Sequence, residues 1–261
     1  MKTLPLDILL YIIDLLAGGR DIKSLRTLSQ ACKYMVPLCR EHLFSSLNLY
    51  SELYSERFSD LLSNNPDIAR YARSLKYGVY NNPSSGHELN ILDMLKKRSS
   101  LRSIELWSLG NLGWNDLSES IRLSMLSLIQ LPTVTFLRIY TFKGFPATAL
   151  AGCGNLIDLH LGELDLAPPE VNQAISRSKI PAPVSLFINT DTYGLAALLN
   201  SAGLHAGGPI VDFSRLQKAE FHVESRDDID QANELIKETT RLEYIKINGE
   251  STAVVTLSMK F

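Results

Sequence analysis

The chain has 261 residues, with 26 Lys+Arg against 28 Asp+Glu for a net charge of −2, and 45% apolar and 21% charged residues. This is ordinary globular composition, which excludes a disordered or collagen-like chain, and the length allows roughly 70–75% of the unfolded surface to be buried. The near-neutral balance supplies no whole-chain field for phosphate backbones or anionic lipids, so neither nucleic acid nor a membrane surface is an expected partner.

Cys32, Cys39 and Cys153 are too few and too unevenly placed for a disulfide framework. The short apolar run Ile8–Ile13 lies between Asp7 and Asp14 and follows Pro5, unlike a cleavable leader, and no stretch approaches a membrane span. The expectation is a soluble intracellular protein, cytoplasmic or nuclear.

The first helix is expected from Leu4 to Leu16, with Pro5 in its first turn, Asp7 near its positive end, and Gly18-Gly19 as its stop. Its apolar positions cover more than one helical stripe, so apolar surface remains after one face is buried. A second helix follows Asp21, an N-cap, with Ile22, Leu25, Leu28, Ala31 and Cys32 at helical spacing; Pro37 should break or kink it, and Leu38–Leu47 carries a short last segment. Cys32 and Cys39, seven residues apart, are read as small hydrophobes that could share a helix face. Three short helices make a poor independent core, so the surplus must either dock on the rest of the chain or form a partner interface.

The strings LPLDILLYIIDLL and DIKSLRTLSQACKYMVPLCREHLFSSLNL resemble the F-box, through Leu4, Pro5, Asp7, Ile8, Ile12, Leu15, Leu25, Leu28, Cys32, Lys33, Leu43 and Phe44. Met35 stands where many members carry Phe or Trp, and Gly18-Gly19 replaces their Pro-containing turn. The resemblance covers about a sixth of the chain. It implies an F-box over residues 1–46 that grips the Skp adaptor, and through it a cullin scaffold, by way of Leu4, Pro5, Ile8, Ile12, Leu25, Leu28, Cys32, Lys33, Leu43 and Phe44.

From residue 44 onward the pattern Leu-x-x-Leu-x-Leu recurs with substitutions: Phe44/Leu47/Leu49, Ala72/Leu75/Tyr77, Leu101/Ile104/Leu106, Val134/Leu137/Ile139, Leu156/Leu159/Leu161, Pro183/Leu186/Ile188, Leu216/Ala219/Phe221 and Leu242/Ile245/Ile247. Its middle positions step by 28, 29, 33, 22, 27, 33 and 26 residues, near the period of leucine-rich repeats. Period-two alternation marks each as a half-buried strand. Helical segments are expected between them at 52–63, 88–98, 117–130, 169–176, 195–200 and 228–238. The expected class is therefore α/β: a three-helix head, then over 47–261 irregular leucine-rich repeats forming a solenoid with a curved parallel sheet. The chain resembles the repeat domains often found behind an F-box. A doubly wound sheet is the alternative, although no phosphate-binding glycine turn follows the first strand. Ala253–Phe261 reads as a strand-like tail without a polar cap.

The positions between the leucines should face the hollow: Asn48 and Tyr50, Lys76, Glu105 and Trp107, Phe136, Arg138 and Tyr140, Asp158 and His160, Phe187 and Asn189, Glu220 and His222, and Tyr244, Lys246 and Asn248. Aromatic and Arg side chains anchor protein interfaces because they bury large areas with few rotors to freeze. Trp107, Phe136, Arg138, Tyr140, His160, Phe187 and Tyr244 are thus the candidate target-binding residues, the alternative being that these aromatics pack against neighbouring strands. Mixed charge favours a protein ligand over nucleic acid.

No catalytic or metal motif stands out, no cofactor is expected, and an enzyme reading would rest only on Asp158, His160 and His222 converging. The resemblance to the F-box and to the repeat domains behind it implies a non-catalytic receptor subunit of a Skp–cullin–F-box ubiquitin ligase with an unknown target. The competing account is a repeat scaffold with no link to ubiquitin.

Overall fold

A computed structural model describes residues 5–79, 86–110, 112–167, 180–189, 198, 210–249 and 254–258. Three helices come first: α1 (Leu6–Gly18), α2 (Ile22–Ala31) and α3 (Met35–Leu43). Asp21 caps α2 by accepting from the Ser24 N–H at 3.0 Å, and the Ser24 side chain first, then this backbone bond, hold its carboxyl below the usual range. α1 ends at Gly18 with Gly19 as its C-cap, as expected, and the left-handed residue that follows is Arg20 (φ 56°). Two local details differ from the expectation. The break after α2 falls at the extended Cys32, and Pro37 sits in the first turn of α3, where its missing N–H has no intrahelical partner to lose. As a result Cys39 is buried and Cys32 exposed, so the two do not share a face.

Ile13, Leu25, Met35 and Cys39 form the core of this head, backed by Leu9, Leu16, Leu28 and Leu43. A second, larger core contains the rest. Only Phe44 and Ser45 separate α3 from β1 (Ser46–Leu49). Phe44 packs on the large core, and the Ser45 carbonyl accepts from the N–H groups of Arg73 and Ser74 at 2.8 and 2.9 Å.

Then come α4 (Glu52–Asn64), β2 (Ser74–Val79), α5 (Gly86–Arg98), β3 (Ser103–Ser108), α6 (Glu119–Ile129), β4 (Phe136–Tyr140), β5 (Phe145–Pro146), β6 (Asp158–Gly162), β7 (Leu166–Ala167), β8 (Ser185–Asn189), β9 (Lys218–Val223), α7 (Arg226–Glu238), β10 (Tyr244–Gly249) and β11 (Val254–Ser258). Ser51, Ser118 and Ser225 cap α4, α6 and α7, the last in a reciprocal box with Asp228. The expected helices at 169–176 and, apart from residue 198, 195–200 lie outside the described residues.

The protein is α/β, with a nine-stranded sheet in the order β1-β2-β3-β4-β6-β8-β9-β10-β11, and β5 and β7 as a separate pair. The first eight strands are mutually parallel; β11 returns antiparallel to β10. The strands follow sequence order without the reversal a doubly wound sheet requires. The middle motif positions all pair with one another: Leu47 with Leu75, then Ile104, Leu137, Leu159, Leu186, Ala219 and Ile245.

One backbone device repeats at every step. A single carbonyl just before a strand accepts from two successive N–H groups of the next turn: Ser45 from Arg73 and Ser74, Arg73 from Arg102 and Ser103, Arg102 from Thr135 and Phe136, and so on through Thr135, Ile157, Val184 and Gln217. The strand leucines and the inner sides of α4–α7 make one continuous core. Within it, the Tyr77 hydroxyl donates to Glu88 Oε2 at 2.8 Å; burial pushes both groups above their ordinary pKa values. The other face of the sheet carries the polar positions.

Candidate binding surfaces

Alternation along each strand leaves every second side chain on the polar face, and the aligned register sets these in rows. The central row reads Asn48, Lys76, Glu105, Arg138, His160, Phe187, Glu220 and Lys246. Trp107, Phe136, Arg138, Tyr140, His160 and Phe187 are half-buried there and Tyr244 is exposed, so the structure brings the candidate target-binding residues onto one face.

Their side chains also engage each other. Trp107 lies over Gly78, where a Cβ would meet its Nε1 at 2.8 Å, and Tyr140 lies over Gly162, where a Cβ would meet its Cδ1 at 2.6 Å. Missing Cβ atoms thus let two large rings lie flat along the sheet. The His160 ring stacks on Phe187 (centroids 5.5 Å) and tilts against Phe136 (5.0 Å). Part of the aromatic area is therefore spent on cross-strand packing, the alternative the sequence leaves open.

Charges pair along the central row. Lys76 Nζ stands 2.8 Å from Glu105, and Arg138 Nη2 stands 3.0 Å from His160 Nδ1. Burial first, then the Arg138 charge, hold the His160 imidazole below its ordinary pKa. Further along, Lys246 and Asn248 donate to Glu220 at 2.7 and 2.9 Å. Burial pushes the Glu220 carboxyl up, but these bonds outweigh it and hold the group below its ordinary value.

The structure does not bring Asp158, His160 and His222 together. β8 separates His160 on β6 from β9, which carries His222, and two strand spacings put these strands roughly 10 Å apart. His222 instead stands 3.9 Å from Glu224. Among the described residues no three His, Cys, Asp or Glu side chains gather as a metal site, and no helix is long and apolar enough to cross a membrane.

The head offers a second surface. Leu9, Ile13, Leu16 and Ala17 turn α1 toward its own core. Ile8, Tyr11, Ile12 and Leu15, at i, i+3, i+4 and i+7, form an exposed stripe on the other side. Of the residues assigned to adaptor binding, Pro5, Ile8, Ile12, Cys32 and Lys33 are exposed, and Leu28 is half-buried against the head core. Leu25 needs correction: it is fully enclosed in the head's own core and helps hold the head together. Leu43, like Leu28, is half-buried against that core, and Phe44 is half-buried on the larger one. Leu4 lies outside the described residues. Tyr11 was missed by sequence reasoning, although its spacing from Ile8 and Leu15 places it on the same stripe.

A cleft of about 930 Å³ lies between the head and the polar face, lined by Ala17, Arg20, Ile22 and His42 from the head side and by Asn48, Lys76, Glu105 and Trp107 from β1–β3. No protein-family model matches the chain, and no curated protein matches it.

Proposed function

We propose that this chain is the substrate-recognition subunit of a Skp–cullin–F-box ubiquitin ligase, acting in the cytoplasm or nucleus. Residues 1–46 serve as the F-box and bind the Skp adaptor; residues 47–261 form irregular leucine-rich repeats, a solenoid whose polar face holds the target. The chain catalyses nothing itself and supplies proximity, raising the effective concentration of target lysines beside the transfer machinery.

The observation that carries this reading is the Ile8/Tyr11/Ile12/Leu15 stripe. It stays open to solvent although the head's own core is already closed. A small helical unit that leaves such a stripe uncovered is built to meet a partner. The ordered F-box series supplies the identity of that partner. The repeat reading is supported by strands in sequence order, aligned motif positions and the same carbonyl staple at every step. The two-residue joint between α3 and β1 supports fixed relative placement of the two surfaces, which delivery of a target requires.

Co-expression with the Skp adaptor, followed by size-exclusion chromatography, tests the assignment. A stable equimolar complex is expected. Separate elution of the two proteins at micromolar concentration would remove the ligase assignment and leave a repeat scaffold.

A further inference from the structure

At the centre of the polar face one guanidinium lacks a full set of acceptors. Glu105 is taken by Lys76 at 2.8 Å, and Arg138 Nη1 reaches it only at 3.9 Å, too far for a hydrogen bond. Arg138 Nη2 meets His160 Nδ1, while its Nε–H is enclosed with no acceptor. A guanidinium carries five N–H donors. Phe136 and Tyr140 flank this one, their ring centroids 5.7 and 5.3 Å from Cζ, so it is held in a partly desolvated setting where an anion is worth more than in water. The side chain still keeps 31% of its exposure, so the group is reachable from the polar face. Since Arg138 only donates, His160 Nδ1 is the acceptor of the pair, and the neutral ring carries its proton on Nε2 as a second donor beside the first.

We infer that Arg138 and His160 anchor an anionic oxygen group, a carboxylate or a phosphate, carried by an extended peptide that lies across the strands. This rests on the reading of the polar face as the target surface. The dimensions suit it: the cleft ends at Glu105 and Trp107 on β3, and Arg138 stands on the next strand. From β1 to β4 is three strand spacings, roughly 14 Å, or about four extended residues. Phe136, Tyr140 and Phe187 border the anchor and favour an aromatic or aliphatic side chain beside the anion.

Three small probes test this on the full chain: N-acetyl-phenylalaninate, its uncharged amide, and phenyl phosphate. Binding is followed by the His160 imidazole NMR signal, identified by its loss in His160→Gln. A charge-assisted bond should make one or both anions bind about 10- to 100-fold tighter than the amide. The anion should also raise the His160 titration midpoint, because it adds negative charge to a ring that now faces Arg138, Asp158, Glu105 and Glu220. Arg138→Gln should bring the anions to the level of the amide. Arg138→Lys, which keeps the charge without the planar fork and serves if Arg138→Gln does not fold, should lose at least severalfold. Preference for the carboxylate names an acidic residue or chain terminus as the source, and preference for phenyl phosphate names a phosphorylated residue. Binding of neither anion tighter than the amide, or anion binding untouched by both Arg138 variants, overturns the anchor. If the anchor fails while Trp107→Ala with Phe136→Ala still abolishes target capture, the face reading survives alone; if that double variant also changes nothing, both fall.

Discussion

Truncating the exposed stripe of α1 separates a docking role from a structural one. Tyr11 and Leu15 keep 62% and 56% of their surface open, together somewhat more than one whole large side chain. At roughly 1.5–3 kcal/mol for each such side chain fully buried, covering that area contributes about 2–3.5 kcal/mol, so Tyr11→Ala with Leu15→Ala should weaken adaptor binding about 30- to 400-fold. The fold should hardly notice, since neither residue belongs to the head core and Ala is the best helix former; a change within about 0.5 kcal/mol is expected. Leu25→Ala is the contrasting control: its side chain is fully enclosed, and the cavity should cost about 2–5 kcal/mol of head stability. Titration calorimetry against purified adaptor, with thermal melts of each variant, reads both quantities. Binding by the double variant within threefold of wild type would refute the argument that this stripe is the contact.

Trp107→Ala combined with Phe136→Ala should weaken target capture while adaptor affinity holds, with the melting temperature lowered only by the lost cross-strand packing; parallel loss of both activities would mean global destabilisation instead. Gly78→Ala drives a methyl to within 2.8–2.9 Å of the Trp107 indole, so the ring must lift, at a cost of about 1–3 kcal/mol visible in melts and in Trp fluorescence; an unshifted spectrum would contradict the packing. His160 is held below its ordinary value of 6.5, so the unfolded chain takes up the proton first as the pH drops. Stability contributed by the neutral ring is therefore complete well above pH 6.5 and declines as the pH falls from there toward the folded value. Denaturant unfolding of wild type and His160→Gln across that window should show the decline only in the former. Tyr77→Phe strands the buried Glu88 carboxyl and should cost about 1–3 kcal/mol in the same unfolding assay; a neutral result would mean that another donor takes over.

The repeats were legible because each element carries its own periodicity. The strands alternate with period two, and Leu75, Ile104, Leu137, Leu159 and Leu186 all fall on the central buried row, even where spacing varies from 22 to 33 residues. The polar rows follow from the same alternation. What the pattern did not carry is how neighbours share that face. Trp107 lies over Gly78 because two strands far apart in sequence pair there, and no local signal announces a missing Cβ as a seat for a ring. Arg138 was legible as an interface residue, but its shortage of acceptors depends on Glu105 being drawn to Lys76. In the head, family resemblance ranked residues by identity, whereas the helix geometry sorts them by direction: Leu25 turns inward and Tyr11 outward. Pro37 was read as a breaker because Pro interrupts helix interiors; within the first turn it interrupts nothing.

The unstaggered pairing from Leu47 to Ile245 bears on how such a molecule changes over time. With no sideways drift between adjacent strands, gaining or losing one turn lengthens or shortens the platform like a column removed from a page, and the lines on either side stay level. Novelty in what is held then arises by editing single columns while the rest of the script remains readable.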